Sequence, residues 1–446
     1  MTQQTTAFTG LGLSSKSLSA LEAAGYQHPT PIQAQTIPHA LAGKDVIGCA
    51  ATGTGKTAAF VLPIVERLKG TKGGLKALVL APTRELALQI GEHAHRFGGP
   101  HGVSVVTLIG GVGMGPQIDG LKRAQLCIAT PGRLIDHAQG GTAILSHIEV
   151  LVLDEADRML DMGFKPQLTR ILAKLPKTRQ TLLFSATMAG EVADFARAHL
   201  KDPVRVEVAK SGTTASKATQ CCYEVSQGEK TALLLSILAS SGDDSTLVFT
   251  RTKRRADKLT KALTRAGHHA ERIHAERSQA QRKHALDGFK SGKYRVLVAT
   301  DIAARGIDVA DIGHVVNFDL PHVPEDYVHR IGRTARASKS GHASSFCAPD
   351  EAPLLRDIEK LTRARVPRSQ VPVDDEVFQK AVASERERQV DPGPRRSSHG
   401  QSARPAGQAP GRHARTHAKP HRTESGSGGE GAKGKVVFSG GPRRGR

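Results

Sequence analysis

The sequence predicts an α/β fold of two tandem lobes, each a parallel sheet covered by helices, with a disordered basic tail behind them. Short, continuous apolar runs alternate with helix-length segments, which is typical of parallel strands that are buried on both faces. A small polar stretch at 209–217 interrupts this alternation and predicts a linker between lobes at 1–208 and 218–370. Residues 371–446 contain almost no aliphatic runs, and this composition predicts disorder.

Charge and composition narrow the class of partner. The 446-residue chain carries a formal net charge of +21, which favours a polyanionic partner, nucleic acid before membrane. Aromatic residues make up only 4% and Trp is absent, so a base-stacking platform is not expected. The five cysteines form no C-x-x-C pair, which indicates reduced thiols in a cytoplasmic protein. Neither a signal peptide nor a membrane span is predicted.

The first lobe opens with two helices. Residues 14–24 have the apolar spacing of a short amphipathic helix. A second helix begins after Thr30, with Pro31 at its first position and Gln33 in place to complete a capping box. On the residues alone, this capping role for Gln33 is favoured over ligand contact. Strands are predicted at 45–49, 76–80, 103–106, 125–128, 150–153 and 181–184, with helices between them that include 84–96 and 188–199.

The second lobe repeats the alternation of strands and helices but has no glycine-bearing loop with a following Gly-Lys-Thr, of the kind found at 53–57 in the first lobe. Strands are predicted at 222–225, 246–249, 295–298 and 315–318, separated by helices at 229–240, 253–266 and 279–290.

A glycine-bearing loop between a strand and a helix predicts a nucleotide site near the N-terminus. The loop consists of Ala50, Ala51, Thr52, Gly53, Thr54, Gly55, Lys56 and Thr57. Its backbone N–H groups and the helix N-terminus favour an anion, Lys56 would neutralise the β- and γ-phosphates, and Thr57 would hold Mg²⁺. The strict pattern requires glycine where Ala50 stands, which leaves a chance turn as the alternative.

Acidic residues follow the predicted strand at 150–153. Asp154 and Glu155 then lie at the carboxyl end of a buried parallel strand, where ligands sit in open α/β sheets. Asp154 could hold the Mg²⁺ that Thr57 touches, and Glu155 could orient or deprotonate a water. The alternative is a simple helix cap.

The loop and the Asp-Glu-Ala-Asp run together resemble the DEAD-box ATP-dependent RNA helicases of superfamily 2, and within them the bacterial RhlE-like members. The family has Ala at the position of Ala50. Further matching motifs occur in family order over about residues 8–370. They are Phe8 with 25–33, Pro82–Leu86, Gly110–Gly111, Thr130–Arg133, Ser185–Thr187, Leu247–Thr252, Gln279 with Arg282, Ala299–Asp308 and His329–Arg336.

The resemblance implies two RecA-like lobes that bind ATP and Mg²⁺ between them. It assigns Gln33 and Phe8 to the adenine, Asp308 to the ribose, and Arg333 and Arg336 to the γ-phosphate as arginine fingers, so that the catalytic set is Lys56, Asp154, Glu155, Arg333 and Arg336. It assigns Ser185 and Thr187 to coupling between the lobes. It implies sequence-nonspecific backbone contacts with RNA from Arg84, Gly110, Gly111, Thr130, Arg133, Arg251 and Thr300.

The implied activity is ATP-driven closure of the lobes on single-stranded RNA, which separates a few base pairs or remodels RNA–protein complexes, in ribosome assembly or mRNA turnover. Two departures from the family pattern are Ala335, where Gly is usual, and His274-Ala275-Glu276, where His-Gly-Asp is more common. An ATP-gated RNA clamp that seldom unwinds is the main alternative, and a DNA translocase is a weaker one. The tail is either a solvated extension or a nonspecific RNA tether.

Overall fold

The computed structural model describes residues 7–50, 53–71, 73–188, 190–208, 218–242, 244–304, 312–334 and 341–390. Two seven-stranded sheets organise these residues, and every strand pairing within them is parallel. The predicted α/β class is therefore confirmed. The predicted linker at 209–217 and the chain from 391 onward lie outside the described residues.

The first sheet has the strand order β3-β4-β2-β5-β6-β1-β7. Its strands are β1 (Val46–Cys49), β2 (Ala77–Leu80), β3 (Val105–Leu108), β4 (Leu126–Ala129), β5 (Val150–Leu153), β6 (Gln180–Ser185) and β7 (Val204–Glu207). Its helices are α1 (Ser15–Ala23), α2 (Pro31–Leu41), α3 (Lys56–Leu68), α4 (Arg84–Gly98), α5 (Met114–Leu121), α6 (Pro131–Gln139), α7 (Ala156–Asp161), α8 (Lys165–Leu172) and α9 (Glu191–His199). Short 3₁₀ helices cover Phe8–Leu11 and Gly99–His101.

The second sheet repeats this arrangement in the order β10-β11-β9-β12-β13-β8-β14. Its strands are β8 (Ala218–Glu224), β9 (Thr246–Thr250), β10 (Ala270–Ile273), β11 (Val296–Thr300), β12 (His314–Asn317), β13 (Gly341–Cys347) and β14 (Arg368–Ser369). Its helices are α10 (Lys230–Ser240), α11 (Lys253–Arg265), α12 (Gln279–Lys290), α13 (Asp301–Ala304), α14 (Pro324–Ile331), α15 (Ala352–Thr362) and α16 (Glu376–Val390). A short 3₁₀ helix covers Pro349–Glu351.

Helices cover both faces of each sheet, and this explains the continuous apolar runs of the central strands. All four residues of β2 and of β5 are buried. One core of the first lobe includes Phe60 and Phe184, whose ring centroids are 5.3 Å apart. The carboxyl ends of the parallel strands form one edge of each sheet, and the loops that carry the sequence motifs lie at those edges.

The strands that the sequence did not predict lack a continuous apolar run. β7 and β10 lie at the sheet edges, and neither is buried along its whole length. β13 is buried but is built largely from Gly, Ala, Ser and His, and β14 has two residues. Strand β3 begins two residues later than predicted.

One boundary of the predicted disordered tail is wrong. Residues 376–390 form α16, and Phe378 is only 5% exposed within a core that also contains Leu234 and Ile237 of α10. Ala381 and Val382 pack against the same core, three and four residues after Phe378. The sequence did not predict this helix because charged residues surround its few apolar positions. Burial of the apolar face against α10 stabilises the helix.

No helix among the described residues combines the length and apolar character needed to cross a membrane.

Candidate active site

The phosphate loop joins β1 to α3 at the carboxyl edge of the first sheet. Gly53 and Gly55 have φ values of 85° and 89°, in the left-handed region where glycine is favoured. Lys56 is buried, and its Nζ donates a hydrogen bond to the Ala50 carbonyl at 3.0 Å. The lysine ammonium is therefore folded over the loop. Ala51 and Thr52 lie outside the described residues.

Gln33 connects α2 to the same loop. Its Oε1 accepts a hydrogen bond from the Thr30 backbone N–H at 2.9 Å, as the capping box predicted. Its Nε2 donates to the Gly55 carbonyl at 3.0 Å, and a Cβ on Gly55 would lie 2.5 Å from this nitrogen. Phe8 is 6% exposed, with its ring edge-on to Tyr26. One amide therefore caps a helix and also fixes the position of the phosphate loop.

Two buried carboxylates follow β5. Burial raises the pKa of Asp154 to about 6, although the nearby Lys56 acts in the opposite direction. Glu155 has a φ of 52°, which is unusual for a side chain other than glycine. Burial also opposes ionisation of Glu155, but Arg158, Lys56 and Arg333 together hold its pKa below the ordinary value. Arg158 Nη1 lies 2.9 Å from Glu155 Oε2.

The residues next to the phosphate loop suit a divalent cation. Asp154 is a buried carboxylate, and burial together with the neighbouring Glu155 and Asp157 raises its pKa although Lys56 lowers it. Thr57 adds a hydroxyl in the first turn of α3. Among the described residues, no cluster of three or more His, Cys, Asp or Glu side chains is arranged to hold a metal. One carboxylate and one hydroxyl match Mg²⁺, which is usually held by few protein groups together with substrate phosphates.

Asp157 ties the acidic run to the end of β6. Its Oδ2 accepts hydrogen bonds from the backbone N–H groups of Ala186 and Thr187 at 2.9 and 3.2 Å. Ser185 Oγ donates to the Thr187 carbonyl at 2.6 Å. The loop that holds the two predicted coupling residues is thus anchored to α7.

Side chains of the two lobes contact each other in the described part of the chain. Arg158 Nη2 lies 3.3 Å from His329 Nδ1, which must accept because a guanidinium only donates. Burial and the neighbouring Arg158 lower the pKa of His329 to about 4, so the imidazole is neutral at physiological pH. Arg282 of the second lobe forms a buried ion pair with Glu85 of the first, with 2.8 Å between Nη2 and Oε2.

Arg330, the residue after His329, connects several elements of the second lobe. Its guanidinium makes a bidentate pair with Asp301, at 2.6 and 2.7 Å, and donates to the Asn317 side chain at 3.1 Å. It also lies over the Phe249 ring, 4.9 Å from the centroid. The turn that holds the buried Arg333 follows directly. Asp308, Ala335 and Arg336 lie outside the described residues.

The first lobe brings five predicted RNA contacts together beyond β2, β3 and β4. The Arg84 guanidinium packs against Gly110 and Gly111, and a Cβ at either glycine would crowd it. Arg133 Nη1 donates to the Val112 carbonyl at 3.0 Å. The Thr130 N–H donates to the Leu108 carbonyl at the end of β3.

Two further predicted RNA contacts lie at the corresponding edge of the second lobe. Arg251 directly follows β9, and its Nη2 donates to Glu351 Oε1 at 2.6 Å. Thr300 ends β11, where it is paired with Thr250 of β9. Both lobes therefore present their predicted RNA residues from the carboxyl ends of strands.

Comparison with known proteins identifies the family. A DEAD/DEAH box helicase model matches residues 30–195, and a helicase conserved C-terminal domain model matches residues 229–338. The DEAD-box ATP-dependent RNA helicase CshA of Bacillus cereus (strain ATCC 10987 / NRS 248) is 44% identical over 375 residues, which are 84% of this chain and 71% of that protein. The chain belongs to the DEAD-box ATP-dependent RNA helicases. CshA of Geobacillus kaustophilus is 45% identical over 84% of this chain and 80% of its own length.

Solved protein structures share the fold. Dbp5 of S. cerevisiae, bound to RNA and ADP BeF₃, has a TM-score of 0.76 at 31% identity and covers 85% of this chain and 99% of its own. Mss116p bound to ssRNA and AMP-PNP has a TM-score of 0.77 at 26% identity and covers 86% and 83%. The two lobes are therefore tandem RecA-like domains, and the chain is an ATP-dependent RNA helicase with ATPase activity.

Sequence reasoning missed Asp157, Arg158, Arg330 and Glu85 as candidate site residues of this DEAD-box helicase. One local signal was available, because a cation three residues after Glu155 on a helix can pair with it. The partners of Glu85 and Arg330 come from other parts of the chain, so spacing in the sequence carried no comparable signal.

Proposed function

We propose that the phosphate loop and the end of β5 hold ATP with Mg²⁺, by means of residues 50–57 and Asp154. The buried ammonium of Lys56 supports a role at the β- and γ-phosphates. Thr57 and Asp154 would hold Mg²⁺, which would neutralise part of the phosphate charge when bound. Gln33 would read the adenine edge with Phe8 nearby, and Asp308 would contact the ribose.

Glu155 is proposed to orient and deprotonate the attacking water. The cations around it keep the carboxylate ionised, and a base must be ionised to accept a proton. Glu155→Gln should abolish ATP hydrolysis while ATP binding is retained. Hydrolysis at the parent rate would remove Glu155 from this role.

Closure of the two lobes is proposed to complete the site, with Arg333 and Arg336 as arginine fingers. The observation that carries this is the contact chain from Glu155 through Arg158 to His329 of the other lobe, with Arg333 close enough to lower the pKa of Glu155. An arginine finger is worth about 10³–10⁵ in rate. The ATPase should therefore be nearly silent until RNA brings the lobes together.

The closing signal is proposed to pass through Ser185 and Thr187. Asp157 holds the backbone of this loop and is two residues after Glu155. Asp157→Asn should preserve shape but weaken two charge-assisted hydrogen bonds. Unwinding should then fall more than RNA-stimulated ATPase; an equal fall in both would contradict a coupling role.

RNA is proposed to lie along the carboxyl edges of both sheets. It would contact the predicted set, Arg84, Gly110, Gly111, Thr130, Arg133, Arg251 and Thr300. These are backbone contacts, so little sequence preference is expected. Arg84→Gln and Arg251→Gln should each weaken binding by a similar factor for RNAs of different sequence. A loss confined to one sequence would indicate base readout instead.

Local unwinding of RNA duplexes, or remodelling of RNA–protein complexes, is proposed as the working activity, with an ATP-gated RNA clamp as the alternative. Displacement of a short duplex supports unwinding. Long RNA retention with a nonhydrolysable ATP analogue and no displacement would favour the clamp. A DNA translocase would be activated by DNA as strongly as by RNA.

We also propose domain boundaries at 1–208 and 218–370 with α16 added to the second domain, a cytoplasmic location, and a role in ribosome assembly or mRNA turnover. The five free cysteines suit a reducing compartment. The relatives reported above are named CshA and lend no support to the narrower RhlE-like assignment, which stays a prediction.

The segment 391–446 holds 12 Lys and Arg against 3 Asp and Glu, a net charge of +9, and is proposed to tether RNA. Deleting it should flatten the salt dependence of RNA binding and leave kcat at saturating RNA unchanged. An unchanged salt slope would rule the tether out.

A further inference from the structure

Helix α11 carries a row of four cations on its outer side. Arg254, Lys258, Lys261 and Arg265 follow at spacings of four, three and four residues, which places them along one face of the helix. All four are exposed, whereas Ala256, Leu259, Thr260 and Leu263 on the other side are buried. We call these four residues the basic stripe.

Nearby carboxylates do not neutralise the basic stripe. Asp257 is the only acidic residue of α11, and it is paired with Arg272 and with His274 Nε2, 3.2 Å away. The flanking Lys253 is paired with Glu276, and Arg255 with Asp319. Within the described part of the chain, none of the four stripe residues makes an ion pair. These acidic residues thus pair with side chains outside the stripe, and no ion pair balances the positive charge of the stripe.

This arrangement is unfavourable for an isolated helix. Like charges at spacings of three or four residues repel each other, and Arg254 stands in the first turn, where the helix dipole disfavours cations. Bound anions in a row would remove both penalties. The stripe spans 12 residues, about 16 Å along the helix axis, so it can face several phosphates of one strand rather than a single small anion.

We infer that the basic stripe is a second RNA-backbone contact surface. It holds the part of the RNA that extends beyond the carboxyl edge of the second sheet. Its first member is three residues beyond Arg251, at the end of α11 that meets the carboxyl edge of the sheet. From there the stripe runs along the exposed side of α11, away from the carboxyl edge of the second sheet. The inference rests on the proposed activity on RNA, and the stripe extends outward from the proposed contact at Arg251.

Salt-dependent binding to single-stranded RNAs of increasing length tests this inference on the full-length protein. The variant R254Q/K258Q/K261Q/R265Q removes the stripe without enlarging or burying a side chain. Each lost phosphate contact should flatten the slope of log K against log[salt] by about 0.7, so four contacts flatten it by about 3. Affinity should fall only for RNAs long enough to extend beyond the carboxyl edges of the sheets. In the stripe variant, affinity should therefore no longer increase with RNA length.

A matched control removes the same charge elsewhere. Lys44, Lys174, Lys177 and Lys201 are exposed and precede β1, β6 and β7, at the edge of the first sheet opposite the phosphate loop. Changing these four to Gln should leave the slope and its length dependence as in the parent. Thermal unfolding of both variants checks folding, and the stripe variant should not be less stable because it loses repulsion.

Two results would overturn the inference. One is an identical salt slope for the stripe variant and the parent on long RNA. The other is loss of binding to polyglutamate in the stripe variant with RNA binding unchanged, which would assign the surface to an acidic protein. Arg251→Gln separates this inference from the proposed RNA edge, since it should weaken short and long RNAs alike. If Arg251→Gln has no effect while the stripe variant loses length dependence, the edge proposal fails and the stripe remains.

Discussion

The buried ion pair between Glu85 and Arg282 should set the stability of the closed state. It joins α4 of the first lobe to α12 of the second, so it forms only when the lobes meet. The side chains are 5% and 9% exposed, and Gln279 Nε2 adds a hydrogen bond to Glu85 at 3.3 Å. The informative perturbations are Glu85→Gln, Arg282→Gln and the double variant.

The size of the effect follows from two opposing terms. At 2.8 Å and an effective dielectric constant of 20, the attraction between Glu85 and Arg282 is about 6 kcal/mol. Removing both ions from water cancels much of it, and burial indeed lowers the pKa of Arg282 despite the attraction of Glu85. Removing one partner leaves the other charge buried and unpaired, at a net cost of about 1.5–3 kcal/mol. Closure should therefore weaken about 10- to 150-fold in each single variant.

The assay is single-stranded RNA affinity with and without a nonhydrolysable ATP analogue. Affinity should fall with the analogue, when the lobes close, and stay unchanged without it, when the pair is absent. The double variant should lose less than the sum of the single losses, because it leaves no buried charge unpaired. Lys283→Gln is the matched control, since its pair with Asp287 is exposed and worth under about 1 kcal/mol.

Equal losses with and without the analogue, or strictly additive losses in the double variant, would refute this assignment of the pair to closure.

Three further predictions concern single side chains. Gln33→Glu keeps the oxygen that accepts from the Thr30 N–H but loses the nitrogen that donates to the Gly55 carbonyl. ATP affinity should therefore fall about tenfold with little change in Tm, whereas a large drop in Tm would indicate a mainly structural role. Hydrogen bonds from a lysine and two serines outweigh burial and lower the pKa of Glu66 to about 2. That carboxylate should therefore contribute about 2 kcal/mol above pH 4.5, after allowance for an exposed lysine partner, and lose it as pH falls toward 2. Glu66→Gln should accordingly be less stable than the parent at pH 7 and equal to it near pH 2 in denaturant unfolding; a difference that does not change with pH would contradict this. Phe378→Ala should cost about 3–5 kcal/mol of unfolding free energy, whereas truncation after 390 should leave Tm unchanged; tolerance of Phe378→Ala would show that α16 adds little to the core.

The central strands were predictable because each is buried on both faces and therefore reads as an unbroken apolar run. β2 and β5 are such strands. The edge strand β10 was not predicted, because Glu271 and Arg272 interrupt its apolar pattern and are only partly buried. The helix α16 was missed for a related reason, since its order depends on a surface of α10 that the sequence does not show.

The amino-acid sequence was sufficient to locate the phosphate loop and the acidic run after β5, because their chemistry resides in a few consecutive residues with defined backbone requirements. Gly55 needs its positive φ, and Lys56 follows it directly. The side-chain partners depend on tertiary structure. Arg158 meets His329 across 171 residues, and Arg282 meets Glu85 from the other lobe. Periodicity encodes which face of an element is buried, but only strand order and lobe contact bring distant charges within bonding distance.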